Sequence, residues 1–151
     1  MKHLITITLF IVTLMLSGCG EKLPAGMPKP YPVTINIIQD GKPLADASVA
    51  LMPKEALPNG YRWNAVGRTD SWGNARVRTE GKYDGAVPGG YQVMISKFVF
   101  EDNNGRMEGF QVVDIPYTGF STPESMTVEQ KSNRKSIDVG KAVKVSADAL
   151  P

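Results

Sequence analysis

The chain has 151 residues, with 17 Lys or Arg against 15 Asp or Glu, and its formal net charge at pH 7 is +2. This size suits one domain with a short extension, and the near balance of charge argues against nucleic acid or an anionic membrane surface as the main partner. The sequence holds one cysteine, Cys19, and one histidine, His3. These two residues limit the redox and catalytic chemistry that the chain can carry.

The first 18 residues have the layout of a secretory signal. Lys2 and His3 form a short positive segment, and residues 4–16 are an apolar run. The run is shorter than the ~20 residues that a membrane-spanning helix needs. We therefore expect residues 1–18 to be a cleaved signal peptide.

The segment Leu16-Ser17-Gly18-Cys19 resembles a bacterial lipobox. The resemblance implies that the Cys19 thiol receives a diacylglyceryl group, that the chain is cut before Cys19, and that the new amine is acylated with a fatty acid such as palmitate. Two or more acyl chains give stable membrane attachment. We expect an exported protein anchored by the lipid on Cys19, in the outer membrane if the cell is Gram-negative, because Gly20 replaces the Asp of an inner-membrane signal. The alternative is a soluble secreted protein with an incidental cysteine.

Residues 20–30 follow the cysteine and contain three prolines and two glycines. This composition disfavours regular structure and favours an extended chain. Residues 19–30 are therefore interpreted as a lipidated cysteine and a flexible tether.

The rest of the chain alternates short apolar or β-branched runs with turn residues, and no helical period is sustained. Seven or eight strands with frequent turn signals predict an all-β sandwich. The predicted strands cover residues 32–38, 44–52, 64–69, 75–79, 91–100, 107–115, 125–131 and 135–145.

Four segments match one family pattern: residues 40–49 resemble DGKPLxGAxV, 69–75 TDxxGxF, 84–93 GAxPGxYxVxV, and 122–128 dPxxSxLTV. Together they resemble the carboxypeptidase-regulatory-like, transthyretin-like domains of bacterial surface lipoproteins of the planctomycete type. The resemblance implies one seven-stranded Greek-key sandwich (transthyretin-like or prealbumin-like, Ig-like) over residues 31–146. It implies a structural or binding module without activity. Ala75 departs from the usual aromatic, and residues 98–110 are longer and more aromatic than the family's connector.

The residues after position 18 contain no histidine, which excludes a Ser-His-Asp triad and histidine-ligated zinc or iron. We expect no enzyme activity, no cofactor and no metal. Asp70, Glu80 and Asp84 could serve as an acid/base pair only if two of them met in a cleft, and solvated turn acids are the favoured interpretation. Residues 102–105 superficially resemble a calcium loop but lack its glutamate, so a hairpin turn is favoured.

The aromatic side chains give the one positive indication of a ligand. Tyr61, Trp63 and Trp72 fall in or beside predicted loops and could form a platform for sugars or a partner protein; alternatively they cap the core. Phe98, Phe100 and Phe110 could form an exposed apolar patch, or fold into the core.

Three hypotheses follow, in order of preference. The first is a non-catalytic, lipid-anchored module that binds or scaffolds an envelope protein. The second is a carbohydrate-binding module that uses Tyr61, Trp63 and Trp72 on a polysaccharide. The third is a hydrolase that uses carboxylates alone.

Overall fold

The computed structural model describes residues 22–147, and this part of the chain is all-β apart from a three-residue 3₁₀ helix at Ile115–Tyr117. The prediction of an all-β fold is confirmed. The strands are β1 (Val33–Gln39), β2 (Lys42–Pro43), β3 (Ser48–Pro53), β4 (Ala65–Arg68), β5 (Asn74–Arg76), β6 (Arg78–Thr79), β7 (Tyr83–Asp84), β8 (Gly89–Ser96), β9 (Phe98–Asn103), β10 (Arg106–Gln111), β11 (Ser125–Val128), β12 (Asn133–Asp138) and β13 (Val145–Ser146).

The strands form three sheets. The largest has the order β11-β8-β3-β4-β6-β7, the second has the order β12-β1-β2 with β5 also paired to β1, and the third has the order β13-β10-β9. All named pairs are antiparallel except β1 with β12. The described residues thus contain thirteen short strands where the family resemblance implied seven.

One apolar core lies between the two larger sheets. Alternate residues of β1, β3 and β8 are buried, as period-2 patterning requires for strands with one covered face. Ile35 and Ile37 of one sheet join Leu51, Val93 and other residues of the second sheet in a single buried cluster. This core positions the loops at the two ends of the sheets.

Most predicted strands are longer than the observed ones: the strands predicted over 107–115, 125–131 and 135–145 end at Gln111, Val128 and Asp138. For the strands predicted over 44–52 and 91–100 the structure shows the cause. Residues 44–47 leave the ladder because Asp46 takes a positive φ of 57°, and the Ala47 N–H donates instead to the Thr69 hydroxyl at 2.8 Å. The strand predicted over residues 91–100 divides at Lys97, whose N–H donates to Gln111 Oε1 at 2.8 Å. A side chain therefore replaces a ladder bond, and the chain passes into a separate hairpin.

Strand register defines two ends of the molecule. In β3, Pro53 pairs with Tyr91 at one end, while Ser48 pairs with Ser96 at the other. We call the first the N-terminal end, formed by residues 22–31, the loop 53–63 and residues 83–90. The second is the hairpin end, formed by the turns at 40–41 and 70–73 and by the β9–β10 hairpin.

The N-terminal segment is held against the domain from the first residues described. Met27 is buried, with 7% of its surface exposed. Asn59 Nδ2 donates to the Gly26 carbonyl at 3.1 Å, and Tyr31 and Ala86 exchange two backbone hydrogen bonds of 2.8 and 2.9 Å. Part of the segment expected as a flexible tether, at Gly26 and Met27, is therefore docked against the domain in this structure.

Candidate functional site

A groove of about 410 Å³ opens at the N-terminal end. Tyr61 and Trp63 stack in one wall, with ring centroids 5.4 Å apart and planes 17° from parallel. The other walls come from residues 53–58 and 87–91. The groove offers a flat aromatic surface and backbone polar groups to a ligand.

Hydrogen bonds hold the aromatic loop in place. The Lys54 N–H donates to the Gly90 carbonyl at 2.9 Å, and Arg62 Nη1 donates to the Pro53 carbonyl at 2.9 Å. Tyr61 and Trp63 lie two positions apart just before β4, a spacing that places both side chains on one side of an extended chain. The sequence therefore contained the signal for the stacked pair.

The two rings differ in exposure. Tyr61 is 57% exposed, whereas Trp63 is half-buried and its indole Nε1 is buried without a hydrogen-bond partner among the described residues. A buried, unpaired N–H is costly. The pair therefore presents one accessible ring, backed by a second that is held partly within the fold.

Tyr91 forms part of the groove wall but belongs to the core. Its ring is buried, and its hydroxyl donates to the Val87 carbonyl at 2.6 Å. Burial raises the pKa of Tyr91 to about 12. The hydroxyl is therefore neutral at ordinary pH, and its role in the groove is structural.

Trp72 lies at the other end of the molecule. Strand β4 runs between Trp63, which precedes it, and the turn that carries Trp72. The Trp72 N–H donates to Asp70 Oδ1 at 2.9 Å, and its carbonyl accepts from Asn36 Nδ2 at 3.0 Å. Its side chain is 71% exposed. The expected platform of Tyr61, Trp63 and Trp72 does not form, because a strand separates the pair from the third ring.

The β9–β10 hairpin presents a second apolar surface, at the hairpin end. Phe98 and Phe100 share one face of β9, and Met107 lies on the same face of β10, diagonal to Phe100. Their exposed fractions are 44%, 66% and 63%. We call these three residues the hairpin face. The sequence analysis named Phe98 and Phe100 but missed Met107.

Phe110 lies on the opposite face of the hairpin. It pairs with Val99, so the pleat turns it away from Phe98 and Phe100. Lys144 Nζ lies 4.2 Å from the Phe110 ring centroid and 2.6 Å from Glu101 Oε2. The expected patch of three phenylalanines is therefore divided between two faces.

The three carboxylates considered for catalysis do not converge. Asp70 Oδ1 accepts from the N–H groups of Trp72 and Asn74, both at 2.9 Å, and so fixes its own turn. Asp84 lies 3.1 Å from Arg78 Nε with a largely exposed side chain, and Glu80 is exposed at a turn. Asp70 and Glu80 are therefore acids in turns, as the favoured interpretation held, whereas Asp84 is an exposed acid in the two-residue strand β7.

The loop that resembles a calcium site is a hairpin turn. Asp102 Oδ1 accepts from the Gly105 N–H at 2.7 Å, and Asn104 and Gly105 both take positive φ, of 53° and 82°. Across residues 22–147, no group of three or more His, Cys, Asp or Glu side chains is placed to hold a metal ion.

The expectations for the first part of the chain concern residues 1–21. The signal peptide at 1–18 and the lipidated Cys19 lie outside the described residues. In the described part, no helix has the length and apolar character needed to cross a bilayer.

Comparisons with known proteins found little similarity to this chain. No family model and no curated protein matches the chain. Among solved structures, a 9R-lipoxygenase from Cyanothece PCC8801 aligns with a TM-score of 0.38 and 9% sequence identity, over 87% of this chain and 20% of that one. The chain thus spans a fifth of the lipoxygenase chain, and a TM-score this low indicates neither a shared fold nor a shared activity.

Proposed function

We propose that the chain is a non-catalytic, lipid-anchored envelope protein whose β-domain binds or scaffolds another protein. The observation that carries this proposal is the hairpin face. Phe98, Phe100 and Met107 form an exposed apolar strip on a hairpin that projects from the end opposite the N-terminal segment. Contiguous exposed apolar surface of this kind favours a protein contact.

The anchoring half of the proposal rests on Cys19 and its lipobox-like context. Attachment at Cys19 would place the protein at the outer membrane of a Gram-negative cell. The hairpin face would then be presented away from the attachment point, where an envelope partner can reach it.

The family half of the proposal is a transthyretin-like, seven-stranded Greek-key sandwich. Its support is local: Asp40 and Gly41 take positive φ in the turn of the first motif, and Tyr91 of the third motif packs in the core with its hydroxyl on Val87. Several of the thirteen strands are only two residues long and would merge into longer family strands.

Binding of polysaccharide is the second candidate, favoured by one observation. The exposed Tyr61 ring is backed by Trp63 within a groove, and a sugar ring can stack on such a surface. Trp72 is too far along the molecule to take part.

Two variants separate the candidates, and each serves as the control for the other. Phe100→Thr/Met107→Thr removes the hairpin face and keeps strand propensity, whereas Tyr61→Ser removes the exposed ring of the groove. Each lipidated variant is crosslinked to its neighbours, and the partners are recovered from solubilised envelopes in a pull-down. The same variants are tested for binding to a panel of polysaccharides. The proposal expects a protein partner that is lost with the hairpin variant and kept with Tyr61→Ser. Polysaccharide binding lost only with Tyr61→Ser would replace it with the second candidate.

A further inference from the structure

The N-terminal end of the domain has a chemistry of its own. Tyr31, Tyr61 and Tyr83 and the tryptophan Trp63 all lie there. Tyr61 is exposed and the other three are half-buried. Lysine side chains lie over two of the rings: Lys29 Nζ is 5.5 Å from the Tyr31 centroid, and Lys82 Nζ is 5.3 Å from the Tyr83 centroid.

Tyrosine, tryptophan and lysine are the residues that anchor proteins at the lipid headgroups. Their side chains combine an apolar body with a polar tip, which suits a boundary between hydrocarbon and water. The hairpin end also carries an exposed tryptophan, Trp72, but its exposed strip consists of Phe98, Phe100 and Met107, which have no polar tip. The two ends therefore present different kinds of apolar surface.

The path of the chain connects the N-terminal end to the proposed anchor. Two residues separate Cys19 from Lys22, the first residue described. At most ~3.6 Å per residue, Leu23 lies within about 14 Å of Cys19. Since Gly26 is bonded to Asn59 and Met27 is buried, a chain of at most ~25 Å joins Cys19 to the docked part of the segment.

The docked segment also determines which surface comes close to the bilayer. Asn59, which holds Gly26, lies in the same loop as Tyr61. Leu23 is 38% exposed and lines a shallow cleft with Pro30 and Tyr83. An anchor at Cys19 therefore brings the loop 53–63 to the headgroups together with Leu23.

Charge at this end suits an anionic lipid surface. Four exposed basic residues lie at this end, Lys22, Lys29, Lys54 and Arg62, against two exposed acids, Glu55 and Asp84. Basic side chains close to a membrane are attracted by its negative surface potential.

We propose that the N-terminal end lies against the lipid headgroups, with Leu23 and Tyr61 entering the interface. This inference rests on the proposed lipidation of Cys19. The occupant of the Tyr61–Trp63 groove is then phospholipid of the anchoring membrane, and the hairpin face points away from it.

The absence of other cysteines allows a direct test on the full lipidated protein. Cys19 is the single cysteine of the chain, and its lipid would block labelling. Ala56→Cys places a thiol on the groove rim, and Ser71→Cys places a matched thiol in the Trp72 turn. Both positions are exposed, and both substitutions are close to isosteric. Each protein is labelled with a polarity-sensitive fluorophore and incorporated into vesicles of phosphatidylethanolamine and phosphatidylglycerol that carry spin-labelled headgroups.

The expected result is a blue-shifted fluorescence emission from the label at position 56. The headgroup spin labels should also quench that fluorescence several-fold more than the fluorescence of the label at position 71. Adding Leu23→Ser/Tyr61→Ser should abolish that difference while the protein stays on the vesicles. Equal quenching at the two positions, or stronger quenching at position 71, would overturn the orientation alone. Protein that is recovered free of the membrane, with Cys19 unlipidated, would overturn the anchoring proposal as well.

Discussion

The two ends of the molecule lie at opposite ends of the strands of the two larger sheets and differ in how their chain is held. At the N-terminal end, a proline-rich segment is fixed by a buried methionine, Met27, and by a backbone pairing of Tyr31 with Ala86. At the hairpin end, β9 and β10 stand in a separate sheet, and the exposed side chains face solvent. Docked chain suits a position close to an anchor, whereas a projecting hairpin suits contact with a partner.

The largest expected difference between the ends comes from two glycines. Both have positive φ, but a Cβ at Gly85 would lie 2.0 Å from the Tyr31 carbonyl oxygen, whereas a Cβ at Gly105 meets nothing within 4 Å. Gly85→Ala should cost about 4 kcal/mol of unfolding free energy, from strain plus a broken pairing. Gly105→Ala should cost about 1 kcal/mol, from strain alone.

Urea denaturation of the two glycine variants measures this difference. Similar losses for both would mean that the Tyr31–Ala86 pairing does not hold the N-terminal end.

Alkaline pH should weaken the N-terminal end through Tyr91. Because burial raises its pKa from 10.0 to about 12, the folded state keeps the proton that the unfolded state loses. The contribution is fully present below pH 10 and is lost as pH rises through 12, by roughly 3 kcal/mol.

Unfolding free energies measured across this pH range should show that fall in wild type and in Tyr61→Phe, but not in Tyr91→Phe. A fall of the same size in Tyr91→Phe would assign it to other groups.

Two methionines test whether the docked segment is held by burial. Met27 is 7% exposed, whereas Met107 is 63% exposed. Met27→Ala should cost about 2 kcal/mol, the lower range for a buried side chain, and Met107→Ala less than about 0.5 kcal/mol.

In limited proteolysis, the rate of cleavage within residues 22–30 should rise in Met27→Ala and stay at the wild-type value in Met107→Ala. Equal cutting in the two variants would show that the segment is not held by Met27.

The smallest effect is expected from an ion pair on the hairpin. Lys144 bonds Glu101 and lies over Phe110, but both charged side chains are about half exposed. Lys144→Ala should therefore cost less than about 1 kcal/mol, and the cost should shrink in high salt. The matched control in urea denaturation is Lys131→Ala, which breaks an exposed pair with Glu129 at the N-terminal end. If the loss of unfolding free energy in Lys144→Ala does not depend on salt, it comes from packing on Phe110 instead.

Local patterns in the sequence were sufficient to predict that β1, β3 and β8 are strands, because period-2 burial leaves a clear trace in them. The division at Lys97 was not predictable, since it depends on a side chain fourteen positions away, Gln111. The parallel pairing of β1 with β12 joins distant parts of the chain and likewise leaves no local signal.

For the candidate sites, the position of a single residue in a loop or strand was easier to predict than which residues lie together. Tyr61, Trp63 and Trp72 were predicted to lie in or beside loops, where the structure has them. Trp72 was grouped with the other two because loop residues carry no information about which end of a sheet they occupy. Alternation along β10 could have separated Phe110 from the other phenylalanines and added Met107. The docking of Met27 was missed because the surrounding prolines and glycines indicated only an open chain.

Hydrogen exchange on the lipidated protein, bound to vesicles and then in detergent, tests the orientation of the two ends most directly. The account predicts that vesicles slow amide exchange in the loop 53–63 and in residues 22–30, and leave the β9–β10 hairpin at 98–111 unchanged. Slowed exchange in the hairpin without any change in the loop 53–63 would contradict it.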